Sequence, residues 1–162
     1  MRERGFGLNF SRAHTTVARA RTPDLDGAAL AAEGWLSGLT PWELAARWPF
    51  VKPDELLLAY EEGNEVEVAW RLVRREVSDS KDWSPVIEAA YARPELAAMF
   101  PIFSHGMFRM LRSSRFTSYD TPFIARIGWD FALQYDDEIL TTGDADHLVE
   151  ACLTWLADHP PQ

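Results

Sequence analysis

Residues 129–156 read WDFALQYDDEILTTGDADHLVEACLTWL, and two hydrophobic periodicities meet inside them. Trp129, Phe131, Leu133 and Tyr135 alternate with Asp130, Ala132 and Gln134, a period of two that sends four large side chains to one face of a strand. Asp136-Asp137 is a turn signal, leading into a second strand from Glu138 to Thr141. Asp144 then caps a helix in which Leu148, Cys152, Trp155 and Leu156 recur at helical spacing. Paired strands followed directly by a helix are the pattern of an α+β fold with antiparallel pairing.

The other end of the chain shows the same order of elements. Gly5 to Ser11 and His14 to Ala20 form a predicted hairpin, followed by a helix that Asp24 caps and Gly38 closes. TPDLDGAALAAEGWLSG from Thr22 aligns without gaps with TGDADHLVEACLTWLAD from Thr142, sharing a threonine, two aspartates, an alanine and a Trp-Leu pair. Two readings stand: a decayed duplication of a strand-turn-helix unit, or two unrelated helices with the same cap and anchor. Either predicts Trp35 and Trp155 as core anchors.

The middle is helical by its punctuation. Thr40-Pro41-Trp42-Glu43 is a capping box with proline at the first helical position, opening a helix that ends before Pro49. Pro53-Asp54-Glu55 opens another that Gly63 closes, and Asn64 with Glu67 caps a third, with Val66, Trp70, Val73 and Val77 on one face. Ser84-Pro85 starts a fourth, Arg93-Pro94 interrupts it, and a last short turn runs from Pro94 to Phe100. Runs at Met107 to Arg112 and Phe123 to Ile127 are predicted strands. The expected molecule is one compact α+β domain, 1–162. It comprises a hairpin plus helix over 1–38, a helical middle over 40–100, and strands plus a helix over 105–158, with small antiparallel sheet elements at both ends.

Composition bounds the function. A chain of 162 residues with 47% hydrophobic content is long enough to bury a core without disulfides or metals. Its one cysteine, Cys152, has no partner for an internal disulfide, and no apolar run reaches membrane-spanning or secretory length; a cytoplasmic protein without membrane contact is expected. A net charge of −9 argues against nucleic acid, because such binding rests on phosphate neutralisation. His14, His147 and Cys152 lack ligand spacing, so no metal is expected, and no glycine-rich loop precedes a helix to seat a nucleotide, so no cofactor is expected either.

One window breaks the acidic balance. Residues 53–95 hold eleven acids against five bases, whereas Leu96 through Tyr119 contain no acid, only Arg109, Arg112, Arg115 and His105. Guanidinium groups grip a carboxylate or phosphate in bidentate fashion. Inside that window FPIFSHGMFRM (100–110) sets Ser104 beside His105 in an apolar run. His105 is a candidate general acid or base; the alternative is a structural corner. Adjacent residues on an extended strand point to opposite faces, which disfavours a Ser104–His105 nucleophile and base pair. Tyr119 and Asp120, in SSRFTSYDTP, are candidates for a second catalytic polar group opposite His105, against the alternative of an ordinary turn. Phe103, Phe108, Trp129 and Ser104 complete the candidate ligand contacts, with Phe116 as a further aromatic.

The run AAYARPELAAMFPIFSHGMFRM (89–110), with WLSGLTPWELAARWPFV (35–51) and TTGDADHLVEACLTWLADHPP (141–161), resembles an actinobacterial family of unknown function whose members are labelled natural product biosynthesis proteins. Met110-Leu111 stands where the family pattern often carries a Phe-Ser pair. The resemblance implies a biosynthetic setting and carries over no catalytic residue. Two functions are therefore expected to compete. One is a cofactor-free tailoring or cyclising protein that holds a small-molecule or peptide intermediate, its sign a pocket entered by His105 together with an arginine. The other is a non-catalytic adaptor or self-protection module that meets other biosynthetic proteins or forms a homodimer, with the acidic helices from Pro53 to Val77 as docking face and an exposed apolar patch as its sign.

Overall fold

A computed structural model of the chain describes residues 5–12, 15–115 and 120–161. Its contacts gather in two compact units, Met1–Gly63 and Asn64–Gln162, each with its own hydrophobic cluster. Both are α+β with antiparallel strands, as the alternating and helical periodicities at the two ends require.

The first unit holds β1 (Phe6–Arg12), β2 (Thr15–Thr22), α1 (Leu25–Leu36), α2 (Pro41–Arg47), β3 (Val51–Pro53) and α3 (Glu55–Glu62). Its sheet has the order β1-β2-β3. Phe10, Ala18, Ala20, Ala31, Leu44 and Val51 form the core, with Trp35 packed against it and edge-on to Phe10 at 5.8 Å. Three residues are too few to announce themselves by alternation, and β3 escapes sequence reading for that reason. The capping box forms as expected: the Glu43 amide donates to Thr40 Oγ1 (3.2 Å) and the Thr40 amide to Glu43 Oε2 (2.8 Å). That backbone bond, reinforced by the Thr40 hydroxyl, holds the Glu43 carboxyl below the ordinary carboxylate range. Its stabilising contribution is therefore complete above the unfolded-state value, about 4.3, and is lost as pH falls through the lower folded value. Thr40→Ala is expected to cost about 1 kcal/mol, read as a lower urea midpoint at neutral pH, with a smaller difference from the parent in acid.

The second unit holds α4 (Glu65–Glu76), α5 (Trp83–Tyr91), α6 (Pro94–Ala97), β4 (Phe100–Ser104), β5 (Met107–Leu111), β6 (Phe123–Ile127), β7 (Asp130–Tyr135), β8 (Glu138–Gly143) and α7 (Ala145–Asp158). The five strands lie side by side in sequence order, every neighbouring pair antiparallel. Phe103, Phe108, Met110, Ile124, Phe131 and Leu133 on one sheet face pack against Trp70, Val73, Trp83, Val86, Ile87, Leu148, Val149 and Cys152 from the helices. Trp70 is the centre: it meets Phe108 edge-on at 5.8 Å, and its indole N–H donates to the Met99 carbonyl at 3.0 Å. Trp83 wedges between Phe103 (4.9 Å) and Phe131 (4.7 Å).

Three local readings change. Asn64 stands at the N-cap of α4 without a capping bond from its side chain, because its backbone (φ −119°, ψ 23°) is outside the extended region that side-chain caps use. The α5 helix begins at Trp83, whose amide donates to the Ser80 hydroxyl, so Pro85 falls inside the first turn where a missing N–H costs nothing. Phe100 begins a strand and does not end a helical turn. The two predicted hairpin-helix segments are both present, with α1 capped through Asp24 and α7 through Asp144; Trp155 is half-buried, packed at 4.7 Å from Tyr135 and stacked on His159 at 4.1 Å.

Candidate functional site

The decisive local feature is the hairpin between β4 and β5. Ser104 pairs with Met107, which leaves His105 and Gly106 as the two-residue turn, both with positive φ (53° and 71°). Two consecutive left-handed residues make a type I′ turn, whose twist matches the flanking strands. Glycine adopts that geometry freely, whereas at His105 it works against the side chain. The left-handed bend also overturns the expectation that Ser104 and His105 diverge: Ser104 Oγ lies 2.7 Å from His105 Nδ1. The opposite-face rule holds for extended chain, and His105 is not extended.

From this turn the register assembles a groove. Ile102 pairs with Arg109, and Arg109 with Phe123. Paired residues share a sheet face, so Ile102, Ser104, Met107, Arg109 and Phe123 lie on the face opposite Phe103, Phe108 and Ile124, turned away from the helical core. With His105 they line a cavity of about 310 Å³. Ile102, Met107 and Phe123 supply apolar walls, while Ser104, His105 and Arg109 supply the polar groups. The Arg109 guanidinium sits over the Phe123 ring, 4.8 Å from its centroid, which orients the cation by its attraction to the ring face.

The remaining candidates fall elsewhere. Phe108 is fully buried against Trp70, and Phe103 packs on Trp83. Both belong to the opposite face because strand side chains alternate, and aromatic content alone does not reveal which parity faces the groove. Arg112 donates to the Leu156 carbonyl at 3.4 Å and to the His159 carbonyl, which places a cation at the C-terminal end of α7, where the helix dipole favours it. The charge of Arg115 lies near Glu65, whose carboxyl is held below its ordinary range chiefly by its own amide and by the Ser114 hydroxyl. The three arginines of the acid-free window therefore do not converge; Arg109 alone enters the groove. Asp120 follows the Leu111 end of β5, the far end from the His105 turn, and does not line the groove. Tyr119 and Phe116 lie outside the described residues, as does His14.

Trp129 does not share a strand face with Phe131, Leu133 and Tyr135. It sits with Gly128 (φ 63°) in the turn before β7, 91% exposed, with Arg126 over its ring at 5.9 Å. That turn is at the same end of the sheet as the His105 turn, and Met107 and Ile127 are exposed there too. Sequence reading missed Ile102, Met107 and Phe123. The signals were present, since Ile102 and Ser104 alternate with Phe103, and His-Gly between two apolar runs is a two-residue hairpin connection.

Cys152 is buried in the core, and burial pushes its thiol up to about 12, so it stays protonated and unreactive in the folded protein. Among the described residues, no group of three or more His, Cys, Asp and Glu side chains gathers where it could hold a metal ion, and no helix is long and apolar enough to cross a membrane.

Residues 64–160 match the model of a family of unknown function, DUF6193. The chain belongs to the DUF6193 family. No curated protein and no solved structure matches it. The DUF6193 match opens at Asn64, where the second unit opens, and contains every described residue that lines the groove. The first unit lies outside the DUF6193 match.

Proposed function

We propose that this protein binds an amphiphilic anion, a small-molecule or peptide intermediate with a carboxylate end, in the groove on the open face of β4, β5 and β6. It acts there as a cofactor-free cytoplasmic tailoring protein of natural product biosynthesis. One observation carries the reading: His105, in the β4–β5 turn, and Arg109, on β5, line the same cavity over apolar walls. Arg109 pairs with the carboxylate by charge-assisted hydrogen bonds, Ile102, Met107 and Phe123 take the apolar body, and His105, its ring held by Ser104, moves a proton at the reacting atom. The resemblance of the Ala89 to His105 run to proteins labelled for biosynthesis supports the setting.

Calorimetric titration of the full chain with phenylpropionate and N-acyl amino acids, against their neutral amides, tests the binding step. The acids are expected to bind more tightly than the amides, and Arg109→Gln to erase the difference by weakening the acids about 10- to 100-fold, as loss of one charged hydrogen bond does. Equal affinity for acid and amide would sink the reading. A producing strain that lacks the chain is expected to accumulate an unprocessed intermediate by mass spectrometry, and an unchanged product profile would remove the biosynthetic setting.

The exposed ring of Trp129, together with Met107 and Ile127 at the same end of the sheet, favours a second reading, a docking face for another biosynthetic protein or a second copy. Light scattering decides it for the copy: a dimer that Trp129→Ser dissociates, with carboxylate titration silent, would replace the first reading.

A further inference from the structure

A second cavity, of about 200 Å³, lies in the first unit, lined by Thr16, Ala18, Arg19, Lys52, Pro53 and Asp54. Here the register sets Arg19 directly opposite Lys52 on neighbouring strands. Like charges in directly opposed positions destabilise a sheet, and opposite charges are easily recruited in a chain of net charge −9 with only two lysines. Neither side chain makes an ion pair or hydrogen bond among the described residues, and both are exposed. Arg21, two residues along the same strand, adds a third exposed cation. Among the described residues of the lining the one carboxylate is Asp54, which caps the start of α3, accepting from the Leu57 amide at 3.1 Å. The Thr16 hydroxyl adds a neutral donor.

We infer that this cavity is a binding site for the dianionic phosphoryl group of a small phosphate monoester. The charge count selects the ligand class. Arg19 and Lys52 outnumber the one carboxylate of the described lining, Asp54, so the cavity attracts an anion, and a phosphoryl group has enough oxygens to meet both cations at once, whereas a carboxylate meets one and leaves the repulsion with the other. Guanidinium presents a planar fork to two phosphate oxygens, and ammonium acts as a compact point charge on a third. The ligand also removes the repulsion that the register imposes, so binding and strand pairing reinforce each other. The site is separate from the groove of the second unit and does not depend on the function proposed for it.

The test is an NMR titration of the isotope-labelled full chain with inorganic phosphate and with phenyl phosphate, at constant ionic strength, with acetate as comparator. Saturable shifts are expected at residues 16–19 and 51–54 for both phosphates and not for acetate. Tighter binding of the ester than of inorganic phosphate is expected, because the ester adds contacts of its body with Pro53. Arg19→Gln and Lys52→Gln are each expected to weaken phosphate by about tenfold or more, while the melting temperature without ligand stays the same or rises. Lys52→Glu makes the pairing attractive and is expected to raise the melting temperature and abolish phosphate binding. The inference is overturned if millimolar phosphate produces no saturable shift at those residues, if acetate binds equally well, or if phosphate binding survives Lys52→Glu.

Discussion

Replacing Trp70 with alanine is expected to remove about 3–5 kcal/mol of stability and to leave the second unit largely unfolded near physiological temperature. The indole is almost fully buried, faces Phe108 and Tyr91, and donates its N–H to the Met99 carbonyl. Truncation opens a cavity at the meeting point of α4 with the sheet and also leaves that carbonyl without its donor, a further penalty of about 1–3 kcal/mol where water cannot reach it. Against a typical domain stability of about 5–15 kcal/mol, the loss is a large share. Urea denaturation followed by far-ultraviolet circular dichroism measures it. Trp70→Phe separates the two terms, because it keeps most of the apolar volume and loses only the hydrogen bond; its expected cost is about 1–2 kcal/mol. A Trp70→Ala protein that unfolds at the parent midpoint would mean that this packing does not hold the unit together.

The second large effect has opposite signs in stability and in function. His105 occupies a left-handed backbone position that disfavours side chains by about 1–2 kcal/mol, and the residue pair that suits a type I′ turn best is Asn-Gly. His105→Asn is therefore expected to leave stability unchanged or raise it by up to about 1 kcal/mol, while turnover in a reconstituted pathway falls about 10²- to 10⁴-fold, the range of a lost general acid or base. A histidine kept for the turn would give the reverse, lower stability with turnover intact. The thermal midpoint and the product yield, measured on the same preparation, distinguish the two. The strain at φ 53° is thus an argument for chemistry at this ring, since a turn under no other demand has a better residue available.

The helix borders were the most legible part of the chain. Thr40 to Glu43, Asp24, Asp54 and Asp144 mark them through bonds between a side chain and an amide two or three residues away. The β7–β8 hairpin was equally plain, since its alternation and Asp136-Asp137 turn lie within one short run. The β4 strand was not, because the helical turn before it and its Phe-Pro start hide five residues that pair only once β5 is present. The site followed the same division. His105, Ser104 and Arg109 were singled out by local charge and composition. That Arg109 and not Arg112 would join His105 depended on which strand residues point to which face.

The sequence alone determined the α+β class, the capped helices and the hairpin-helix order at both ends, because each rests on contacts within a few residues. Tertiary structure decided that Phe108 is core while Arg109 lines a groove, that Phe123 comes to lie beneath that arginine, and that Arg19 faces Lys52. Those outcomes turn on strand register, and a one-residue slip in register moves every side chain of a strand to the other face. Register is set by how distant strands and their turns fit together, a property that no short stretch of the chain contains.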